Sequence, residues 1–161
     1  MNATNAPEPS FDQLYREVIL EHYRAPHGKD KLARIDARAE GVNPLCGDEV
    51  DVHLSVAGET IDGVHVDGRG CAISVSSGSI LHDLIAGRPA VEARRILAAV
   101  KDVLLHGGAI PSDPDLGDFE ALEGVKKFPV RIKCALLPWT TLDEALRNLE
   151  RSSHAGNGGK A

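Results

Sequence analysis

The sequence predicts an α+β fold, in which one short antiparallel sheet is combined with several helices. Two patterns predict it. Val50, Val52, Leu54 and Val56 alternate with Asp51, His53 and Ser55, the period of a strand with one buried face. Before and after that stretch, apolar residues recur at helical spacing, most clearly from Phe11 to Arg24, the stripe of an amphipathic helix.

The totals bound the answer. A chain of 161 residues is one domain by length and large enough for a core. Apolar residues make up 42% and charged residues 26%, as in ordinary globular proteins. The formal charge is −6 and no lysine/arginine cluster is present, which argues against nucleic acid and anionic membranes as partners. No apolar run has the length of a membrane span. Residues 1–10 lack the basic start and apolar segment of a signal peptide. Three cysteines cannot all pair, so a reducing, cytoplasmic location is expected.

Residues 1–10 read as a flexible N-terminal tail, 11–150 as the folded domain and 151–161 as a disordered C-terminal tail. Ser10 and Gln13 form a candidate capping box for the first helix, whose stripe is Phe11, Leu14, Tyr15, Val18, Ile19 and Tyr23. Tyr15 and Tyr23 are expected in the core, and Pro26 and Gly28 end the helix. Residues 35–42 suit an edge strand. Residues 50–56 and 60–67 then form a hairpin around Ala57-Gly58-Glu59, with a bulge expected at Gly63 and with His53 and His65 solvated on its polar face.

Gly68-Arg69-Gly70-Cys71 is a strand-to-helix turn, which sets Cys71 at a helix N-terminus where the dipole favours a thiolate. That helix ends at Gly87, and another runs from Pro89 to Gly107-Gly108. A loop over 109–118 precedes a short helical turn at Phe119 to Leu122. Pro129 opens a helix carrying Arg131, Lys133 and Cys134. Pro138 cannot donate to the carbonyl of Cys134, so a kink or break is expected there, followed by a separate last helix capped at Thr141.

The chemistry centres on Cys46, Asp48, Cys71 and Cys134. A single free cysteine is most often a small core residue. Here, however, Cys46 and Cys71 stand in glycine-containing turns, where functional side chains concentrate. Three thiols and one carboxylate are also the right number and kind of ligands for one tetrahedral zinc ion.

Asn43-Pro44-Leu45-Cys46-Gly47-Asp48, Gly68-Arg69-Gly70-Cys71-Ala72-Ile73-Ser74 and Arg131-Ile132-Lys133-Cys134-Ala135 resemble the three cysteine motifs of the IscU-like superfamily, and more specifically of its SufU branch. Leu14 to Tyr23 resembles that branch's first helix, and Asp115 to Val125 followed by Lys127 to Cys134 its late loop. The resemblance runs from about Phe11 to Leu149. Lys133 stands where IscU scaffolds usually carry histidine, and Lys127-Phe128-Pro129-Val130-Arg131 replaces their Leu-Pro-Pro-Val-Lys segment; both departures favour the SufU branch.

The resemblance implies a small three-stranded antiparallel sheet with helices packed on one side, and zinc held by Cys46, Asp48, Cys71 and Cys134. It implies a zinc-dependent sulfurtransferase. Cys46 would accept persulfide sulfur from a SufS-like cysteine desulfurase and relay it to a SufBCD-like complex of the SUF system for iron–sulfur cluster assembly. In the family a desulfurase histidine takes the place of one cysteine on the zinc, by position Cys46. Arg131, one helical turn before Cys134, reads either as a group that steers the anionic persulfide or as an exposed surface arginine. Lys133 is read as surface charge. The alternatives are an IscU-like scaffold binding iron or a [2Fe–2S] cluster, and a non-catalytic zinc protein that activates the desulfurase by binding.

Overall fold

The computed structural model describes residues 11–158, with the backbone alone at 11, 12, 14 and 154–158. Both Ser10, the expected first cap, and the expected tail over 1–10 lie outside the described residues. The elements are α1 (Phe11–Arg24), β1 (Ala37–Asn43), β2 (Asp48–Ala57), β3 (Thr60–Arg69), α2 (Ala72–Ile85), α3 (Ala90–His106), a 3-10 segment (Gly117–Lys127) and α4 (Pro129–Gly158).

The sheet has three strands in the order β1-β2-β3, all antiparallel. Alternation does what the sequence requires of it. Val50, Val52 and Leu54 point to the buried face and are at most 1% exposed. They pack with Ile61, Val64 and Val66 of β3 against α2 and α4. The pairing shifts register where Ser55 meets Gly63 and Val56 meets Ile61. Asp62 is therefore the extra residue of a bulge, next to the glycine that predicted it. Trp139 of α4 and Phe119 of the 3-10 segment meet edge to face at 6.0 Å, both fully buried.

The polar face of the hairpin is not left to water. The segment before β1 crosses it, and the His65 ring is buried with Nδ1 bonding to the Asp30 carbonyl at 3.0 Å. The ring of His53 lies beside it, 4.8 Å between centroids. This corrects the expectation that both histidines are solvated.

Helix α4 corrects a second expectation. It is continuous from Pro129 to Gly158, with Pro138 inside it, so it neither breaks at 138 nor ends near 150. Its proline removes the backbone donor for the Cys134 carbonyl, and beside it the helix is tied to α2. Ser77 of α2 donates its hydroxyl to the Ala135 carbonyl at 2.6 Å and accepts the indole N–H of Trp139 at 3.1 Å. Thr141 is not a cap; its hydroxyl donates back to the Leu137 carbonyl at 2.8 Å. The two helices approach closely at Gly78, where a Cβ would stand 2.9 Å from Val66 and 3.7 Å from Pro138.

Helix α1 departs from its expected role too. Tyr23 is exposed, and Tyr15 is half-buried with its hydroxyl donating to Glu120 at 3.0 Å. Among its described side chains the buried one is His22. Nothing in the hydropathy pattern marks that position, because the stripe counts histidine as polar.

Candidate metal and sulfur site

Four elements deliver the site. The turn Pro44–Gly47 joins β1 to β2 and carries Cys46, half-buried at the surface. Its backbone is closed by Cys46 N–H and Gly47 N–H donating to the Asn43 carbonyl at 3.2 and 2.9 Å. Asp48 is the first residue of β2 and lies in register with Val50 and Val52, so its side chain turns to the buried face and is fully enclosed.

Cys71 is the N-cap of α2, with extended backbone, and its Sγ accepts the Ser74 N–H at 3.5 Å. The cap position expected for it is therefore the observed one. The turn that leads into it depends on Gly70, at φ +134. A Cβ there would overlap the Asp48 carboxylate and come within 2.9 Å of the Asp48 Cα, so both conformation and space demand glycine. Cys134 sits fully buried on α4, its thiol within 3.6 Å of the Val130 carbonyl.

These residues converge. Asp48 Oδ1 accepts the Cys71 backbone N–H at 2.8 Å, and the Cys71 thiol reaches Asp48 Oδ2 at 3.6 Å. Cys134 Sγ and Cys46 Sγ are 3.6 Å apart. The ligating atoms of Cys46, Asp48 and Cys134 all lie within 4.8 Å of one another. Burial first, then hydrogen bonding to Asp48, Cys46 and Cys71, pushes the Cys134 thiol well above the ordinary thiol range.

The donor set fits zinc. Two thiolates at the usual Zn–S distance of about 2.3 Å in a tetrahedron are about 3.8 Å apart, close to the separation of Cys46 and Cys134. Cys46, Asp48 and Cys134 bring three such donors together, and Cys71 stands outside that group, linked to it through the Asp48 carboxylate. Asp48 Oδ1 accepts the helix α2 amide, and Oδ2 faces the Cys71 thiol.

Arg131 is exposed and lines a groove of about 690 Å³ together with Cys71, Arg16, Lys127 and Phe128. Lys133, on the neighbouring stretch of α4, lines instead a smaller cavity of about 110 Å³ with Cys46. Of the two cations beside Cys134, the one bordering a cavity with Cys46 is thus Lys133.

A second polar cluster escaped the sequence reading. His22 Nε2 donates to Asp118 Oδ2 at 2.8 Å, since a carboxylate can only accept, and Nδ1 then accepts the Ser79 hydroxyl at 2.7 Å. Ser79 also accepts the His27 N–H at 2.8 Å. The network ties α1, the following turn, α2 and the start of the 3-10 segment together, and both nitrogens of His22 are used in doing so.

The model of the NifU-like N terminal domain matches residues 14–147. The chain belongs to this family. It is similar to the zinc-dependent sulfurtransferase SufU of Bacillus subtilis, 35% identical over 88% of this chain and 95% of the relative. It is also similar to the iron–sulfur cluster assembly scaffold protein IscU of Streptococcus pyogenes, 34% identical over 89% of each chain. Among solved structures, a putative scaffold protein for the SUF system from Fervidobacterium islandicum superposes with a TM-score of 0.72 at 31% identity, covering 81% of this chain and 94% of the other. The N-terminal part of a NifU-like protein from Brucella abortus superposes with a TM-score of 0.78 at 26% identity, covering 88% and 99%. The three-stranded sheet with its helices is the fold of these NifU-like relatives. Among the described residues no helix is long and apolar enough to cross a membrane.

Proposed function

We propose that this NifU-like chain is a zinc-dependent sulfur carrier that takes sulfane sulfur from a SufS-like cysteine desulfurase onto Cys46 and passes it to a SufBCD-like cluster-assembly machinery. One observation carries the reading. Cys71 and Cys134 are fixed by a helix cap and a buried helix face, whereas Cys46 stands on a four-residue surface turn beside a cavity open to solvent. Cys134 is buried, Cys71 borders a groove but is held by its cap, and Cys46 is the thiol carried on a turn.

Cys46, Asp48 Oδ2, Cys71 and Cys134 would hold the metal. Bound zinc keeps cysteine thiols deprotonated at neutral pH without redox chemistry. The residues do the rest. The Cys46 thiolate attacks the outer sulfur of the donor's persulfide. A new S–S bond forms at Cys46, the donor's S–S bond breaks, and its electron pair leaves on the donor cysteine as thiolate. The number of sulfane sulfurs is unchanged, so neither oxidant nor reductant is needed. Arg16, Lys127 and Arg131 border the groove at Cys71 and make no ion pair with any described residue, so their charge is available to attract an anionic donor.

The scaffold reading draws on the IscU name of the Streptococcus pyogenes relative. Metal analysis of anaerobically purified protein separates the two. About one zinc per chain without iron, with desulfurase-dependent persulfide on Cys46 that is absent from Cys46→Ala, supports the carrier. Iron with acid-labile sulfide supports the scaffold. A desulfurase activated as fully by Cys46→Ala as by the wild type would leave a non-catalytic binding role.

A further inference from the structure

The outer face of the β2–β3 hairpin carries a second set of metal-binding side chains. His53 pairs with His65 across the two strands, and Asp51 pairs with Asp67 one step along the same face. Side chains directly opposed on a sheet start about 4.5–5.5 Å apart, and the two imidazole centroids are 4.8 Å apart. Asp48 shares the buried face with Val50 and Val52, so this set lies on the other side of the sheet from the Asp48 carboxylate.

His65 is prepared as a ligand. It is 7% exposed, and its Nδ1 meets the Asp30 carbonyl at 3.0 Å. A carbonyl only accepts, so Nδ1 carries the proton and Nε2 the lone pair. A backbone carbonyl on one ring nitrogen is the arrangement that orients a metal-binding histidine. Nε2 makes no hydrogen bond, yet it is not sealed in: among the described residues the one side-chain nitrogen or oxygen both enclosed and unpartnered is Asn43 Nδ2. His65 lines a cavity of about 530 Å³ with His53, Asp51 and Asp67, and a residue otherwise so enclosed meets solvent there. His53 makes no hydrogen bond through its ring. Burial, then the His65 ring, holds it below the ordinary histidine value, so it is neutral and able to ligate at pH 7.

The carboxylates stand near, drawn aside by cations. Asp67 meets Arg69 at 3.0 Å and Lys29 at 3.7 Å, and Asp51 meets Arg69 at 3.5 Å. Partly exposed pairs of this kind are worth at most about 1 kcal/mol, so an ion between the imidazoles can take one carboxylate from them. Two imidazoles and a carboxylate select zinc, nickel or copper(II) over calcium and magnesium, which take oxygen ligands.

We propose that His53 and His65 bind a divalent transition-metal ion of the class that favours imidazole, with a carboxylate of the Asp51–Asp67 pair as third ligand. The ion links β2 to β3 beneath the segment that supplies the Asp30 carbonyl. No step of sulfur transfer depends on it. Lacking thiolates, the site is weaker than the one at Cys46, so purified protein keeps about one zinc and the second ion enters only from added metal.

The probe is zinc alone. The full-length wild type, His53→Gln, His65→Gln and Cys46→Ser are each dialysed to equilibrium against a series of buffered free-zinc concentrations, and bound zinc is counted. The wild type should take up an ion beyond the first, and Cys46→Ser should keep that weaker ion. Both histidine variants should bind it at least about tenfold more weakly, since losing even a partner that supports a ligand has an effect of that size. In the wild type, the His65 Nε2 resonance should move as the second ion enters, a readout that needs no variant. A wild type that stops at one zinc, equal uptake by wild type and His53→Gln, loss of the second ion in Cys46→Ser, or an unmoved His65 resonance each overturns the inference. None of these touches the carrier reading, which is decided by persulfide on Cys46.

Discussion

Asp48 Oδ1 accepts the backbone N–H of Cys71 at 2.8 Å, so the carboxylate of the site is also the clamp on the first turn of α2. One oxygen serves the fold and the other faces the thiols. The two roles separate by substitution. Asp48→Asn keeps an acceptor for the amide and should hold unfolding stability within about 1 kcal/mol, while weakening zinc by about 10–100-fold. Asp48→Ala removes both and should lose about 1–3 kcal/mol as well. Urea unfolding and competitive zinc titration check the pair. Equal stability of the two variants would dissolve the clamp.

Gly70 is the residue that lets this clamp close. Gly70→Ala meets a positive φ and the Asp48 backbone together. The expected result is a loss of about 2 kcal/mol or more and a protein purified with much less metal than the wild type. Metal content and the thermal midpoint, measured on the same preparation, test both parts.

Ser77→Ala should destabilise the protein by about 2–3 kcal/mol, because it leaves the buried Trp139 N–H without an acceptor and the Ala135 carbonyl without its extra donor. Zinc stoichiometry should stay unchanged, since the Ser77 hydrogen bonds go to Ala135 and Trp139 and not to Cys46, Asp48, Cys71 or Cys134. A urea midpoint equal to the wild type would show that α4 draws no stability from this tie to α2.

Burial, then the neighbouring His65 ring, lowers the pKa of His53, against a smaller opposing pull from Asp51. The folded protein therefore binds fewer protons here than the unfolded chain. The resulting stability is present above the ordinary histidine value of about 6.5 and is lost as pH falls through it towards the lowered folded value. The thermal midpoint should decline between pH 7 and pH 5, and His53→Gln should flatten that decline. An unchanged slope in the variant would assign the acid sensitivity elsewhere.

Much of this molecule could be read before its structure. The β2–β3 hairpin was legible because burial on one face writes itself as alternation, and the bulge because Gly63 interrupts it. Cys71 was legible as a cap because two glycines precede it. The continuity of α4 was not. A proline rule is local, and what packs around Pro138 is Ser77 and Gly78 of another helix, far away in sequence. The burial of His22 was hidden for a related reason, since its partners Ser79 and Asp118 stand on other segments. Within the site, the residue types singled out Cys46, Asp48, Cys71 and Cys134 as candidates, but nothing in the chain showed that Lys133 rather than Arg131 borders the cavity with Cys46. The two are separated by only one residue, and the faces they take depend on how α4 is rotated against β1.

Helix α1 has one further consequence. It is anchored by a buried imidazole and a tyrosine hydroxyl, while its described aliphatic side chains are only half-covered. Such an element detaches at a smaller free-energy cost than the sheet and α4, which share the apolar core. Amide hydrogens of α1 should therefore exchange through excursions in which the helix peels away and the remainder stays intact. Those excursions expose the wall of the groove that Tyr15, Arg16, Ile19 and Leu20 share with Cys71.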